Sequence, residues 1–289
     1  MTSFFSELGR RLAEKWLSLL VLPGLLLAST AAVAFALGHS HALDWNELAR
    51  RVDGWSEAVG GRPPVAQILL LVVVLLAAAG AGLVIRALSG LMQRLWLGTW
   101  PSWSSPVDEK LVANRVENWN DAHRKAKAAT GRRADLLAAE RNRIAMAKPT
   151  RPTWMGDRIA AADERVHNQY GVDLHSWWPR LWLILDDATR VELRAARTAF
   201  DTATNQGTWA LGYLMVGLFW WPAALVALGV GTTGWLRGRE AIRTYADLIE
   251  STVDIYATAL AVRLGVLVEN EDFTIEVGQK VTELLRKGA

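Results

Sequence analysis

VAQILLLVVVLLAAAGAGLVI, residues 65–85, is the stretch on which the fold depends. It carries no charge, and Gln67 is its only strongly polar side chain. Wound as a helix at 1.5 Å per residue, a run of this length covers about 30 Å, the thickness of a bilayer's hydrocarbon core. Arg86 and Arg94 follow it, as suits the cytoplasmic end of a returning helix.

Upstream, Trp16 to Gly38 is a second uncharged block, preceded by Arg10, Arg11 and Lys15. The connection from His39 to Pro64 mixes signs and reads as a loop, so the basic flank places the N-terminus in the cytoplasm. A cleaved signal peptide is the competing reading, but this block exceeds the roughly 7 to 15 apolar residues of a signal core. The two blocks then form a transmembrane hairpin, with the small residues Ala78 and Gly82 four apart for close helix contact.

Downstream, Thr208 to Trp235 accommodates either one long tilted span or two short arms of a hairpin. Trp220, Trp221 and Pro222 at its centre favour the hairpin, because a Trp pair suits a turn at an interface better than a bilayer midplane. Basic residues flank both ends: Arg190, Arg194 and Arg197 before, Arg237, Arg239 and Arg243 after. None of the three blocks contains Asp, Glu, Lys, Arg or His, which argues against an ion-coupled pump but leaves a passive pore open.

The composition agrees with this segregation. The 289 residues are 51% hydrophobic, with a positive mean hydropathy and 15 tryptophans, a residue that favours the membrane interface. There is no cysteine, which excludes disulfides, thiolate metal sites and thiol nucleophiles.

Residues 86–206 hold most of the charge. Leu95 to Pro106, with Trp96, Trp100 and Trp103, suits a segment lying along the inner interface. Val107 to Ala147 predicts long helices broken near Thr130 and Gly131. Between Val107 and Arg151 eleven Lys or Arg face six Asp or Glu, a surplus of five. A solvated helix face with the ordinary positive-inside bias accounts for such a surplus; the functional reading is contact with anionic lipid of the inner leaflet, nucleotide or nucleic acid, and the absence of a recognisable nucleic-acid-binding motif argues against the last. Gly171 is placed to close a helix ending at Tyr170, Asp173 to cap the next, and Asp186 or Asp187 the one after. Between them Trp177, Trp178, Pro179, Arg180 and Trp182 form an aromatic cluster with one cation, suited to docking on the membrane surface or wedging between helices.

The run Tyr170-Gly171-Val172-Asp173 followed by Trp178-Pro179-Arg180-Leu181-Trp182 resembles a family of uncharacterised multi-span membrane proteins common in actinobacteria. Leu22-Pro23-Gly24, Gly98-Thr99-Trp100-Pro101, Pro152-Thr153 with Gly156, and Tyr245 to Asp254 extend the resemblance over most of the chain. It implies four spans with both termini inside, and it brings no activity with it.

Other motifs carry less. Gly229-Val230-Gly231-Thr232-Thr233-Gly234 matches a dinucleotide-binding fingerprint but lacks the strands of that fold. His39 and His41 lack partners for a metal, and Glu164 with His167 supplies only one of the two pairs a di-iron bundle needs.

The sequence therefore predicts an all-α integral membrane protein, with two transmembrane hairpins, about four spans, and a helical cytoplasmic region. Its divisions are 1–85 (N-terminal hairpin), 86–206 (basic helical region), 207–236 (second membrane segment) and 237–289 (C-terminal cytoplasmic helices). The expected location is the plasma membrane, multi-pass, in a homo-oligomer. No catalytic, cofactor or metal residue is assigned; the interface and packing candidates are Trp100, Trp177, Trp178, Pro179, Arg180, Trp182, Trp220, Trp221 and Pro222. The functional expectation is a non-enzymatic pore-forming or membrane effector component, with a scaffold that recruits a cytoplasmic partner as the alternative.

Overall fold

The structure, a computed structural model, describes residues 21–286, which form ten α-helices and no strand. Trp16 to Leu20 of the first apolar block and the flanking Arg10, Arg11 and Lys15 lie outside the described residues. The chain divides into two compact units, one comprising residues up to Met92 with Thr202–Leu236, the other Gln93–Asp201 with the chain from Arg237 onward.

In the first unit, α1 (Leu22–Leu37) carries Pro23 near the start of the described residues and closes on Gly38 at φ 58°. α3 (Pro64–Trp96) contains the decisive apolar stretch, and it is the one helix among the described residues long and apolar enough to cross a membrane. Its most apolar window is only 22% buried, which sets it apart from the core helix of a soluble protein. Gln67, the polar residue of that stretch, donates to the Arg62 carbonyl at 3.0 Å and so ties the helix start to the preceding turn. Gly24 lies where a Cβ would stand 2.1 Å from the Ala78 carbonyl oxygen, so only glycine permits this approach of α1 to α3.

Residues 39–64 are not the loop their mixed charges suggest. Trp45–Gly60 form a helix, α2, capped by Asp44, whose carboxylate accepts from the backbone N–H of Asn46 and Glu47. The charges that imply a loop sit on one face of this helix and pair along it, Glu47 with Arg50 and Arg51.

The third apolar block belongs to two much longer helices, α8 (Asp187–Gly217) and α9 (Trp221–Arg263), so it is not a free-standing short hairpin. The chain reverses at residues 218–220, where Trp220 N–H donates to the Val216 carbonyl, and Pro222 occupies the first turn of α9. The arms run side by side: Gly217 sits against Ala224, Gln206 donates to Thr233 and the Val230 carbonyl, and Gly234 sits against Ala203 and Gly207. Gly229, Gly231 and Gly234 of the dinucleotide-like motif therefore lie inside a helix, and Gly234 serves close helix contact.

In the second unit a short 3₁₀ turn, Ser102–Ser104, leads into α4 (Ser105–Ala128) and α5 (Gly131–Ile144). Then follow α6 (Trp154–Tyr170), α7 (Leu174–Ile184) and, after the parts of α8 and α9 in this unit, α10 (Ile275–Arg286). Gly171 closes α6 in the left-handed conformation, φ 66°, and Asp173 and Asp186 cap α7 and α8. The core joins Val166, Val172, Trp177 and Leu181 to Val253, Leu260, Val281 and Leu285 from the late helices. Trp177 is fully buried there, its indole N–H donating to Thr282 Oγ1 at 3.0 Å.

Candidate functional site: a basic helical arm

Antiparallel neighbours joined by residues 129–130, α4 and α5 bury none of their residues, unlike α6, α7 and α10 of the same unit. Gly131, at φ 59°, supplies the left-handed conformation from which α5 departs. The pair forms an arm fixed at its base. There Asp157, buried at 3% exposure, accepts from Arg115 Nε at 3.0 Å and Nη2 at 2.6 Å, and from the backbone N–H groups of Thr150 and Arg151 at 2.8 Å each. Arg115 and Trp119 also donate to the carbonyls of Ile144 and Ala145, which clamps α4 to the end of α5.

Farther out, Trp119 stacks on His123 with ring centroids 4.7 Å apart, and the Arg141 guanidinium lies over Trp119 and reaches His123 Nδ1 at 3.2 Å. An always-charged guanidinium can only donate, so Nδ1 is the accepting nitrogen and His123 is neutral in this arrangement. Desolvation, then the Lys127 and Arg141 charges, hold its pKa below the ordinary 6.5.

The tip carries Arg124, Lys125, Lys127, Arg132 and Arg133, all exposed. Arg124 pairs with Asp121; the other four enter no ion pair among the described residues. Four unneutralised cations on two facing helix ends make a positive field outside any hydrophobic core, suited to an anionic surface. The net surplus of this region is legible in the sequence; its concentration at one end of a hairpin follows from the turn at residues 129–130.

The interface candidates are distributed differently. Trp100 is half-buried and donates to the Leu95 carbonyl. Trp178 and Trp182 pack at 6.3 Å, with Arg194 over Trp182, and with Leu193, Thr198 and Tyr245 they line a recess of about 410 Å³. Pro179 lies exposed within α7, and Arg180 donates to the Ser176 carbonyl one turn back. In the first unit Trp220 donates to the Ala42 carbonyl at 2.9 Å, Trp221 is 41% exposed, and Pro222 follows at the start of α9. Trp177, Trp178 and Trp182 thus share one helix, α7.

Sequence reasoning missed Asp157, Arg115, Arg158 and Trp154. Arg158, 5% exposed, is held by Asp247 and Glu250 of α9, and Glu250 also pairs with Arg165. Trp154 carries the Arg239 guanidinium 4.3 Å above its ring. No three His, Asp or Glu side chains among the described residues form a metal-binding group; His39 contacts the Leu218 carbonyl and His41 contacts Ser40.

No protein-family model, curated protein or solved structure matches this chain.

Proposed function

We propose that the chain is a multi-span protein of the plasma membrane, N-terminus in the cytoplasm, that acts without catalysis as a membrane-bound effector or adaptor. Its basic arm engages an acidic face of a cytoplasmic protein. Two hairpins, residues 16–85 and the reversal at 218–220, hold it in the bilayer, with the anionic inner leaflet beside the basic flanks.

The observation that carries the reading is the arm itself: two helices that bury none of their residues, fixed at the base by Asp157, with four unpaired cations at the far end. The two helices half-bury one face each against one another and leave the rest in solvent, a modest return for ordering them that suits a segment whose further return comes from a partner. Support for the membrane half comes from α3, whose apolar side chains Ile68 to Leu76 are all exposed in the isolated chain.

Photo-crosslinking tests it. A crosslinker at Lys127 in native membranes gives one defined protein adduct, lost at high salt and in the chain with Lys125, Lys127, Arg132 and Arg133 changed to Glu. Adducts to lipid alone would put the arm on the inner leaflet and sink the adaptor reading.

The same exposed stretch of α3 favours a second reading, a homo-oligomer packed through α3 that forms a passive pore. Expression of the full chain alone would then depolarise a bacterial host, followed with a voltage-sensitive dye, and deletion of Thr208 to Trp235 would abolish the effect; an unchanged potential removes this reading.

A further inference from the structure

We infer that α2 is a membrane-surface helix, seated with its apolar stripe among the headgroups and upper acyl chains of the leaflet where α1 ends. Trp45, Leu48, Val52, Trp55 and Val59 recur at helical spacing, and at 3.6 residues per turn they fall within an arc of about 80°. Glu47, Arg50, Asp53 and Glu57 occupy the opposite side. No residue of α2 is buried; Trp45, Val52 and Trp55 of the stripe are 77%, 47% and 42% exposed and Leu48 and Val59 are half-buried, so most of the stripe is left uncovered by the unit's own core.

Its position argues for lipid as the occupant. Only residues 38–44 separate α2 from the apolar α1, and only residues 61–63 separate it from α3, so both ends are tethered to bilayer-compatible helices. The start of α2 is pinned beside the α8–α9 reversal, by Trp220 to the Ala42 carbonyl and by His39 to the Leu218 carbonyl. Leu43, Leu218, Phe219 and Trp221 are exposed at this same end and extend the stripe into a collar rich in aromatic residues. Rings of Trp with apolar neighbours are what the headgroup boundary selects. The polar face has two arginines against three carboxylates, so attraction to anionic lipid is not the driving force; burial of the stripe is.

This inference rests on the proposal that α3 spans the bilayer, and the test separates the two. The chain has no cysteine, so Val52→Cys, Arg50→Cys and, on the exposed face of α3, Val73→Cys each give a single labelling site at an exposed position. The full chain is labelled with an environment-sensitive fluorophore and reconstituted in phosphatidylcholine–phosphatidylglycerol vesicles with brominated acyl chains. Quenching at Val52 exceeds that at Arg50 by about twofold or more, and Val73 is quenched as strongly as Val52 or more so. Equal, weak quenching at Val52 and Arg50 with Val73 quenched overturns the seat while α3 remains a span. Val52 shielded from lipid and crosslinking to Val52 of a second chain assigns the stripe to an interface between copies and likewise overturns it. An unquenched Val73 removes the span and the seat together.

Discussion

Gly278 of α10 approaches the backbone of Tyr170 so closely that a Cβ on it would stand 1.8 Å from the Tyr170 carbonyl oxygen. Neither backbone can yield cheaply, because Gly171 holds the end of α6 at φ 66° and the Tyr170 hydroxyl donates to Asp254 at 2.8 Å. Gly278→Ala therefore overpacks this contact and costs about 1–3 kcal/mol. Thermal unfolding in detergent reads this as a lower midpoint. Gly54→Ala, at an exposed position of α2 with nothing within 4 Å, supplies the contrast and stabilises by at most about 1 kcal/mol. Equal midpoints for the two variants would show that α10 does not dock on α6 in this way.

The buried Arg158 separates two carboxylates by their surroundings. Glu250, 15% exposed, is the partner that leaves little water to replace it, whereas Asp247 is 59% exposed. Glu250→Ala destabilises the second unit by on the order of 3 kcal/mol, because it strands buried positive charge. Asp247→Ala costs less than about 1 kcal/mol, since solvent screens that pair already. Denaturant titration of each variant checks the ordering, and a larger loss from Asp247→Ala contradicts it.

Asp157→Ala removes four acceptor contacts at the base of the arm at once. Hydrogen exchange within residues 105–144 speeds up by an order of magnitude or more, corresponding to about 1.4 kcal/mol or above of lost local protection. Exchange at Val253 to Ala261 in the core stays slow. Uniform acceleration through both regions would mean that the arm is not an independent element.

The arm also has a pH dependence of definite sign. The folded value of His123 lies below 6.5, so the neutral form is the one favoured by folding. Its contribution is complete above the unfolded value and is lost as pH falls from 6.5 through the lowered folded value. Protection of residues 119–141 therefore declines as pH is taken from 7.5 toward 5, and His123→Gln, which stays neutral, flattens that decline. A profile unchanged by the substitution would assign the dependence to another group.

Much of this was legible in the sequence because it is local. A run of residues either carries charge or does not, and 65–85 announces an apolar helix without reference to anything else. Gly171, Asp173 and Asp186 mark helix ends because a left-handed glycine and a capping carboxylate act on backbone groups within a few residues. The helix α2 was also within reach: its apolar period was present, but the charges between those residues conceal it when the segment is read by composition. What only the tertiary structure decided are the relations across long separations. Arg115 meets Asp157 across 42 residues and Arg158 meets Glu250 across 92, and the sequence offers each arginine many acids. Tyr170 and Gly278 collide unless the latter is glycine, yet nothing near Gly278 in the chain announces it. Helix formation is written in neighbours three and four residues apart; the choice among distant partners is made by packing, which excludes water from one pairing and leaves the others to solvent.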